Sequence, residues 1–288
     1  MLAKLAKHAV RKTAAALGYE IRKIAPPAPV EVYTPEEPAP FASPPPDPTV
    51  HGLDSMEGCL RFLRERGVVP RCVLDVGANE TRWARLAARV FPESRFVLIE
   101  PQEEMVPALA AFCGAHPSAR FVRAGAAAQP GEAVQTIWDD LQGSTFVVPA
   151  ADQMLRAGRQ RVTPMVTIDE VFAGEPHLPE LVKLDIQGYE LEALKGAGRL
   201  FGRTEVFILE VQLIRSDLVP DLHAVVDFMH RRNYQVYDIC GYLRRPVDDA
   251  LGQVDLVFAR SDGPLCRDHR WSASDGPPPP EATGARAA

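Results

Sequence analysis

Residues 72–79 read Cys-Val-Leu-Asp-Val-Gly-Ala-Asn, and this stretch decides the fold. It is a short apolar run that ends at a glycine, and apolar side chains then recur at helical spacing over residues 83–90. A buried strand that leads through a tight turn into a helix is typical of α/β proteins with a parallel sheet. Ligands of such sheets bind beyond the carboxyl ends of the strands, so functional residues are expected there.

The same alternation of strands and helices continues along the chain. Six further apolar runs of strand length predict a mainly parallel sheet with helices on both faces, an α/β fold. The predicted strands are 72–76, 95–100, 120–124, 181–186, 205–211, 234–239 and 254–260. The last two are expected to be joined by a turn-rich loop that contains Gly241 and Pro246. Residues 129–165 show no regular pattern, and their length suits either a lid over the acceptor or a structural loop.

The composition excludes several classes of protein. Of the 288 residues, 46% are hydrophobic and 24% are charged, which is ordinary for a globular protein and excludes a wholly disordered chain. No apolar run approaches the ~18 residues of a membrane-spanning helix. A net charge of -6 gives no reason to expect a nucleic-acid partner. The five scattered cysteines contain no Cys-x-x-Cys pair, which argues against a disulfide framework or zinc site and favours the reducing cytoplasm.

Proline divides the chain into segments. Ten of the 27 prolines lie between residues 26 and 48, and four more form the run 277–280. Because proline lacks an amide donor and disfavours helix before itself, these stretches are not expected to form packed helices or strands. We therefore predict a Pro-rich linker over 26–51, a folded domain over 52–271 and a disordered tail over 272–288.

The first 25 residues are basic and amphipathic. Six lysines and arginines face the single acid Glu20, and apolar side chains recur at helical spacing. This pattern predicts a short helix over 1–25 that makes a peripheral contact with an anionic membrane, at its inner surface for a cytoplasmic protein. A solvated helix, or one packed on its own domain, fits the pattern equally well.

An acidic residue follows the second predicted strand. Glu100, with Pro101 after it, lies 23 residues beyond Gly77, where a carboxylate suits two hydrogen bonds from the hydroxyls of a ribose. A helix-capping acid is the alternative interpretation. The dinucleotide pattern G-x-G-x-x-G is absent, because only Gly77 is present. The pair of motifs indicates a cofactor that carries a nucleoside.

The fourth predicted strand carries charges on an otherwise apolar run. Lys183 and Asp185 alternate on one face, and Glu210 ends the fifth strand in the same layer. Buried charges are costly unless they are paired, so their presence beside a ligand site indicates function. A structural ion pair of Lys183 with Asp185 or Glu210 is the alternative.

The motifs together resemble the FkbM-type methyltransferases. The shared elements are Asp-Val-Gly-Ala-Asn (75–79), Glu-Pro (100–101), Thr-Ile-Asp (167–169) and Lys-Leu-Asp-Ile-Gln-Gly-Tyr-Glu (183–190). The last is the specific one, and the resemblance extends over residues 54–260. It implies a seven-stranded class I methyltransferase (Rossmann-like) fold and the cofactor S-adenosylmethionine.

The resemblance also implies roles for individual residues. Contacts with the cofactor are implied for Asp75, Gly77, Asn79, Glu100, Pro101, Gln102, Gly125 and Ala126. Contacts with the methyl acceptor are implied for Ser144 and Glu190. The chain departs from the family at Thr81, where a glycine is usual, and at Ala128, where an acid is frequent. Because Thr81 is β-branched, it is expected to disfavour a positive φ and to narrow the approach to the cofactor.

A hydroxyl acceptor needs a base or a metal ion, because it is a poor nucleophile. Asp185 is the first candidate base and Glu210 the second, with Lys183 as the catalytic cation beside them. The two carboxylates also resemble the Mg²⁺ positions of catechol-type methyltransferases, but only two ligands are evident, so a metal is not favoured.

The sequence thus predicts an S-adenosylmethionine-dependent O-methyltransferase. Its partner would be a small-molecule or glycan acceptor: a hydroxyl of a sugar, a glycan or a small natural product. Two alternatives stay open at this point. One is a non-catalytic nucleotide-binding or scaffold protein, and the other is a nicotinamide-dependent oxidoreductase, against which the missing G-x-G-x-x-G counts.

Overall fold

A computed structural model gives the architecture of the chain. It describes residues 55–139, 141–147, 159–214 and 218–270, and the backbone of residues 31–33. The predicted helix over 1–25, the tail over 272–288 and most of the predicted linker lie outside the described residues.

Eleven strands and six α-helices are present in the described residues. The strands are β1 (Glu31–Tyr33), β2 (Cys72–Val76), β3 (Arg95–Ile99), β4 (Arg120–Arg123), β5 (Gly125–Ala126), β6 (Gly131–Thr136), β7 (Gln160–Val166), β8 (Leu181–Leu184), β9 (Val206–Gln212), β10 (Tyr234–Arg244) and β11 (Leu251–Arg260). The helices are α1 (Met56–Glu65), α2 (Arg82–Val90), α3 (Val106–Ala115), α4 (Ile168–Val171), α5 (Glu190–Lys195) and α6 (Leu222–His230). Within this part of the chain, no helix has both the length and the apolar character that crossing a bilayer requires.

The main sheet has the strand order β1-β4-β3-β2-β8-β9-β11-β10. Strands β4, β3, β2, β8 and β9 are parallel, whereas β11 runs antiparallel to β9 and pairs with β10 as a hairpin. All seven predicted strands are present, which confirms the predicted α/β fold.

The main sheet has an eighth strand in addition to the seven predicted ones. This strand, β1, lies inside the predicted linker. It pairs antiparallel with β4, with Val32 opposite Val122. Valine and tyrosine favour strands, and β4 would otherwise present an open edge, so three residues free of proline can pair there. The prediction that the linker builds no packed element is therefore wrong at residues 31–33.

The stretch 129–165 is more regular than predicted. It contributes β6 and β7 to a small sheet of order β5-β7-β6. Pro164 lies within β7 opposite Glu132, and proline inside a run argues against a strand in sequence-based reasoning. The final hairpin also differs from expectation, since Gly241 lies in β10 opposite Asp255 and not in the connecting loop. A Cβ at Gly241 would collide with the Asp255 carboxylate, which explains a glycine inside a strand.

Helices cover the main sheet on both sides. On one side α1, α2 and α3 bury their apolar faces. At the start of α1 the Ser55 side chain accepts a hydrogen bond from the Gly58 amide, which caps the helix. On the other side α4, α5 and α6 pack over a second apolar layer, which includes Phe207 and Phe258. This double covering buries the strands and leaves their carboxyl ends as the place for a ligand.

Candidate functional site

A cavity of about 440 Å³ opens at the carboxyl ends of β2, β3, β8 and β9. Every predicted site residue except Asp75 and Glu190 lies on its wall. These wall residues are Gly77, Asn79, Glu100, Pro101, Gln102, Gly125, Ala126, Ser144, Lys183, Asp185 and Glu210. The structure thus brings together residues that are more than 130 positions apart in sequence.

The turn between β2 and α2 forms one wall. Gly77 has φ of 81°, and a Cβ there would collide with the carbonyl oxygen of Asp185. Only glycine fits this close approach of two strand ends. Asn79 and Thr81 follow with φ of 44° and 63°, so three left-handed residues shape the turn. Such strain in a cluster beside a cavity is characteristic of binding sites.

Glu100 lies at the next strand end and is only 2% exposed. One carboxylate oxygen accepts from the Asn79 amide at 2.8 Å, and the other from the Gln102 amide at 3.0 Å. Burial raises the pKa of Glu100, and the two amides partly offset this effect. The first of these oxygens keeps a free lone pair, whereas the second also accepts from Gln102 Nε2 at 3.3 Å. The carboxylate can therefore accept one hydroxyl of a diol directly, and the second hydroxyl would have to displace this longer Gln102 contact.

Residues 141–147, which we name the covering segment, close the cavity over Glu100. The Leu141 carbonyl accepts from Asn79 Nδ2 at 3.2 Å and from Gln102 Nε2 at 2.9 Å. Ser144 lies on the cavity wall, where its hydroxyl accepts from the Trp138 amide at 3.2 Å. The covering segment therefore holds the nucleoside end of the cavity through backbone contacts, which sequence patterns do not reveal.

The opposite end of the cavity is acidic. Lys183 Nζ lies 2.9 Å from Asp185 Oδ2, so the ion pair considered from the sequence is present. Gln187 Nε2 donates to Asp185 Oδ1 at 3.0 Å and to Glu210 Oε2 at 2.9 Å. The second oxygen of Glu210 accepts from the Gln253 side-chain amide. We name Asp185 and Glu210 the acid pair.

The surroundings shift the pKa values of the two members of the acid pair in opposite directions. Burial alone would raise the pKa of Asp185, but the Lys183 ammonium and the hydrogen bonds from Lys183 and Gln187 lower it overall. Burial raises the pKa of Glu210 far above its ordinary range, and the neighbouring Asp185 carboxylate raises it further. At neutral pH Asp185 is therefore ionised, while Glu210 holds its proton.

Asp75 and Glu190 do not reach the cavity wall. Asp75 is 1% exposed, and both of its carboxylate oxygens are buried without a hydrogen-bond partner among the described residues. Its strand position is next to Lys183, and burial raises the pKa of Asp75 to about 7. Glu190 accepts from the amides of Ile186 and Gly188 at 2.9 and 3.2 Å. Glu190 thus shapes the turn after β8, whereas sequence reasoning expected it to contact the acceptor.

Sequence reasoning missed several side chains of the wall, among them Trp83, Gln187 and Gln253. Trp83 lies with its ring centroid 5.9 Å from Lys183 Nζ, and its indole nitrogen is buried without a partner in the described residues. Its helical periodicity indicated only a core residue. Gln187 stood within the quoted motif but received no role, and Gln253 lies on a strand that pairs with β9 from far along the chain. No local signal could place Gln253 beside Glu210.

The sequence also raised the alternative of a Mg²⁺ ion at Asp185 and Glu210, which would need further ligands close by. Among them, no group of three or more histidine, cysteine, aspartate or glutamate side chains is arranged to hold a metal ion.

Comparison with known proteins identifies the family. A family model described as the methyltransferase FkbM domain matches residues 75–236, more than half of the chain. The chain belongs to the FkbM methyltransferase family. It is accordingly an S-adenosylmethionine-dependent methyltransferase, which replaces the oxidoreductase and scaffold alternatives. A search of curated proteins finds no match.

Several solved structures are similar to this FkbM-family chain at low identity. A precorrin-6y C5,15-methyltransferase from Geobacter metallireducens is 13% identical, with 70% of this chain and 86% of that chain covered and a TM-score of 0.37. A 1,6-didemethyltoxoflavin-N1-methyltransferase from Burkholderia thailandensis, solved with S-adenosylhomocysteine, is 13% identical over 73% and 80%, with a TM-score of 0.39. An rRNA methylase from Streptococcus thermophilus is 8% identical over 70% and 94%, with a TM-score of 0.41.

The residues present fit the cofactor of this family. Gly77 lies on the cavity wall, and the Gln102 side-chain oxygen is buried without a partner in the described residues. Glu100 has a free lone pair for one ribose hydroxyl, and the second hydroxyl could replace the 3.3 Å contact from Gln102 Nε2. Gly125 and Ala126 also line the cavity. A purine ring and a ribose could therefore be held between β3 and β5.

Thr81 provides a test of the departure from the family pattern. The side chain is fully buried, is not part of the cavity wall and accepts from Arg85 Nε at 2.9 Å. The β-branched residue thus adopts the positive φ that it was expected to disfavour, at a cost of about 1–3 kcal/mol. We expect Thr81→Gly to leave the affinity for S-adenosylhomocysteine, measured by calorimetry, unchanged within about threefold, since glycine relieves the strain without altering the wall.

Thr81→Val is the matched control, because it keeps the branched shape and removes the hydroxyl. It should lower the free energy of unfolding by about 0.5–1.5 kcal/mol, because the half-buried Arg85 side chain loses one hydrogen-bond partner. A tenfold weaker affinity in folded Thr81→Gly would show that the threonine supports the cofactor site directly.

Proposed function

We propose that this methyltransferase acts on a hydroxyl of a sugar, a glycan or a small natural product. The observation that supports this proposal is the acidic end of the cavity, where two carboxyl groups and two carboxamides converge. These four side chains are Asp185, Glu210, Gln187 and Gln253. Carboxylates and amides accept from and donate to hydroxyl groups, so this end suits an acceptor with several of them.

The nucleoside end of the cavity would hold the cofactor. We propose that Glu100 accepts the two ribose hydroxyls, since its oxygens are fixed by the amides of Asn79 and Gln102. Pro101, Gly125 and Ala126 would contact the adenine. The buried carboxylate of Asp75 lies behind the turn, where it would complement positive charge on the methionine part without touching it.

The acid pair would receive the acceptor. S-adenosylmethionine supplies a methyl group on a positively charged sulfur, and the chain must orient the acceptor oxygen and take its proton. Asp185 is ionised at neutral pH, so it can accept that proton as the oxygen–methyl bond forms. Lys183 keeps Asp185 ionised, and protonated Glu210 can donate a hydrogen bond to a neighbouring oxygen of the acceptor.

A product analysis tests the proposed chemistry. The full chain is incubated with S-adenosylmethionine carrying a ¹³C methyl group and with a panel of glycosides, free sugars and phenolic or aliphatic alcohols. We expect a methyl ether on at least one polyhydroxylated acceptor, identified by its ¹³C chemical shift and its stability to alkali. Label found only in N-methyl or ester products would contradict hydroxyl methylation.

We also propose a peripheral membrane contact through residues 1–25, and no nucleic-acid partner. The basic composition of this segment supports the contact, and the net charge of -6 argues against nucleic acid. Deleting residues 1–25, which keeps β1, should reduce co-sedimentation with vesicles that contain phosphatidylserine and should leave methyl transfer to a soluble acceptor unchanged. Salt should weaken the binding of the full chain, because charges are screened within about 8–10 Å.

Neutral phosphatidylcholine vesicles are the control for this measurement. Equal sedimentation of the full and the truncated chain with anionic vesicles would exclude a role for residues 1–25 in membrane contact.

A further inference from the structure

We propose that Gln187 is a positioning residue that holds the two carboxyl groups of the acid pair together and favours their ionised forms, and that the covering segment holds Gln187 in place. The inference rests on the proposed function, since it concerns the end of the cavity assigned to the acceptor. It adds that the covering segment, through Gln187, influences the charge of the acceptor end of the cavity.

The side chain of Gln187 bridges the acid pair. One amide nitrogen donates to Asp185 Oδ1 at 3.0 Å and to Glu210 Oε2 at 2.9 Å, so its two hydrogens serve two different carboxyl groups. A glutamine is the side chain that can do this without adding charge, since a glutamate would add a third acid and could not donate when ionised. The bridge holds the two carboxyl groups close together, where both cannot be ionised without strong repulsion.

The backbone of Gln187 is held by the covering segment. Gln187 has φ of 55°, a left-handed conformation that an ordinary side chain adopts only when its surroundings impose it. Its carbonyl accepts from Thr145 Oγ1 at 2.8 Å. The same segment accepts from Asn79 and Gln102 through the Leu141 carbonyl. One segment therefore contacts both the nucleoside end and the residue that bridges the acid pair.

The charges that face Glu210 are mainly negative, so a neutral hydrogen-bond donor such as Gln187 has a large effect on its ionisation. Glu210 is faced by Asp185 and Lys183 from β8, by Asp255 from β11 and by Glu190 from α5. Lys183 is the cation in this group, and it already pairs with Asp185. Burial raises the pKa of Asp255 as well. A donor that stabilises the ionised carboxyl groups therefore has a measurable effect on where the proton resides.

The test is a titration of the acid pair in the full chain. Glutamate side-chain carboxyl carbons are labelled with ¹³C, and the Glu210 signal is assigned by its loss in Glu210→Gln. In Gln187→Met, which keeps the length and removes the donor, we expect the titration of Glu210 to move upward by about one pH unit. Gln235→Met, the same change at an exposed position of β10, should leave it unchanged.

A second variant tests the link to the covering segment and leaves the acid pair and Gln187 in place. Thr145→Val removes the hydroxyl that holds the Gln187 carbonyl, and it should move the Glu210 titration in the same direction by a smaller amount. An unchanged Glu210 titration in either folded variant would overturn the proposal.

The titration needs neither acceptor nor activity, so it separates this proposal from the proposed function. If no alcohol is methylated but the Glu210 signal moves as expected, the proposed acceptor is wrong and the role of Gln187 stands. If an alcohol is methylated and the Glu210 signal does not move, the proposed function stands and the proposed role of Gln187 is wrong.

Discussion

Replacing Asp185 with asparagine is expected to lower kcat by about 10²–10⁴-fold, the usual contribution of a general base. Asparagine keeps the shape and can still accept from Gln187, but it cannot take the acceptor proton. Rapid-quench measurement of a single turnover should show the loss in the methyl-transfer step. The affinity for S-adenosylhomocysteine should change little, since Asp185 lies at the end of the cavity away from Glu100.

A control is needed because Asp185 also neutralises a buried lysine. Burial alone would lower the pKa of Lys183, but the Asp185 and Asp75 carboxylates raise it above its ordinary value. Losing one partner of such a buried pair costs roughly 3–5 kcal/mol of stability. The double variant Lys183→Gln/Asp185→Asn removes both charges, so it should be more stable than Asp185→Asn and equally slow. Activity restored in the double variant would mean that the single variant had only lost its structure.

The ion pair also gives stability a pH dependence with a definite sign. Because the pKa of Asp185 is lowered in the folded chain, the pair stabilises the fold above the unfolded carboxyl pKa of about 4. That contribution is lost as the pH falls through the folded pKa. Glu210 behaves oppositely, since its pKa is raised and its burial costs stability as the pH rises above the unfolded value.

Sequence patterns were sufficient for the residues that end parallel strands. Gly77, Glu100, Asp185 and Glu210 are each the last polar or special residue of an apolar run, and strand ends in one parallel sheet must meet at one edge. Their convergence on one cavity therefore follows from the alternation of strands and helices alone.

Sequence patterns failed where side chains or loops meet through long-range pairing. Gln253 reaches Glu210 only because β11 runs antiparallel beside β9, a register that no local motif encodes. The covering segment contacts Gln102 through a backbone carbonyl, so the identity of Leu141 carries no signal. Sequence patterns also gave no sign that the Glu190 carboxylate accepts from the Ile186 and Gly188 amides, which are formed by the turn after β8.

Glu100→Ala is expected to weaken binding of S-adenosylhomocysteine at least tenfold. Each hydrogen bond to the carboxylate contributes about 1.5–3 kcal/mol, and the proposal places the ribose hydroxyls there. The loss should be visible by calorimetry as a higher Kd. Replacing this carboxylate also frees the Asn79 and Gln102 amides, so the turn after β2 loses part of its support.

Glu100→Gln separates the two effects. It keeps the length of the side chain and one oxygen for an amide, but it sets an NH2 donor against the other amide. It should therefore bind with intermediate affinity and be less stable than the wild-type chain. Wild-type affinity in both folded variants would place the ribose elsewhere in the cavity.

The central claim is that one cavity binds the cofactor at Glu100 and presents its reactive sulfur to the acid pair. A crystal structure of the full chain with S-adenosylhomocysteine tests this most directly. The account predicts both ribose hydroxyls within hydrogen-bond distance of the Glu100 carboxylate, and the sulfur directed toward Asp185 and Glu210. A ribose bound away from Glu100, or a sulfur directed away from the acid pair, would contradict it.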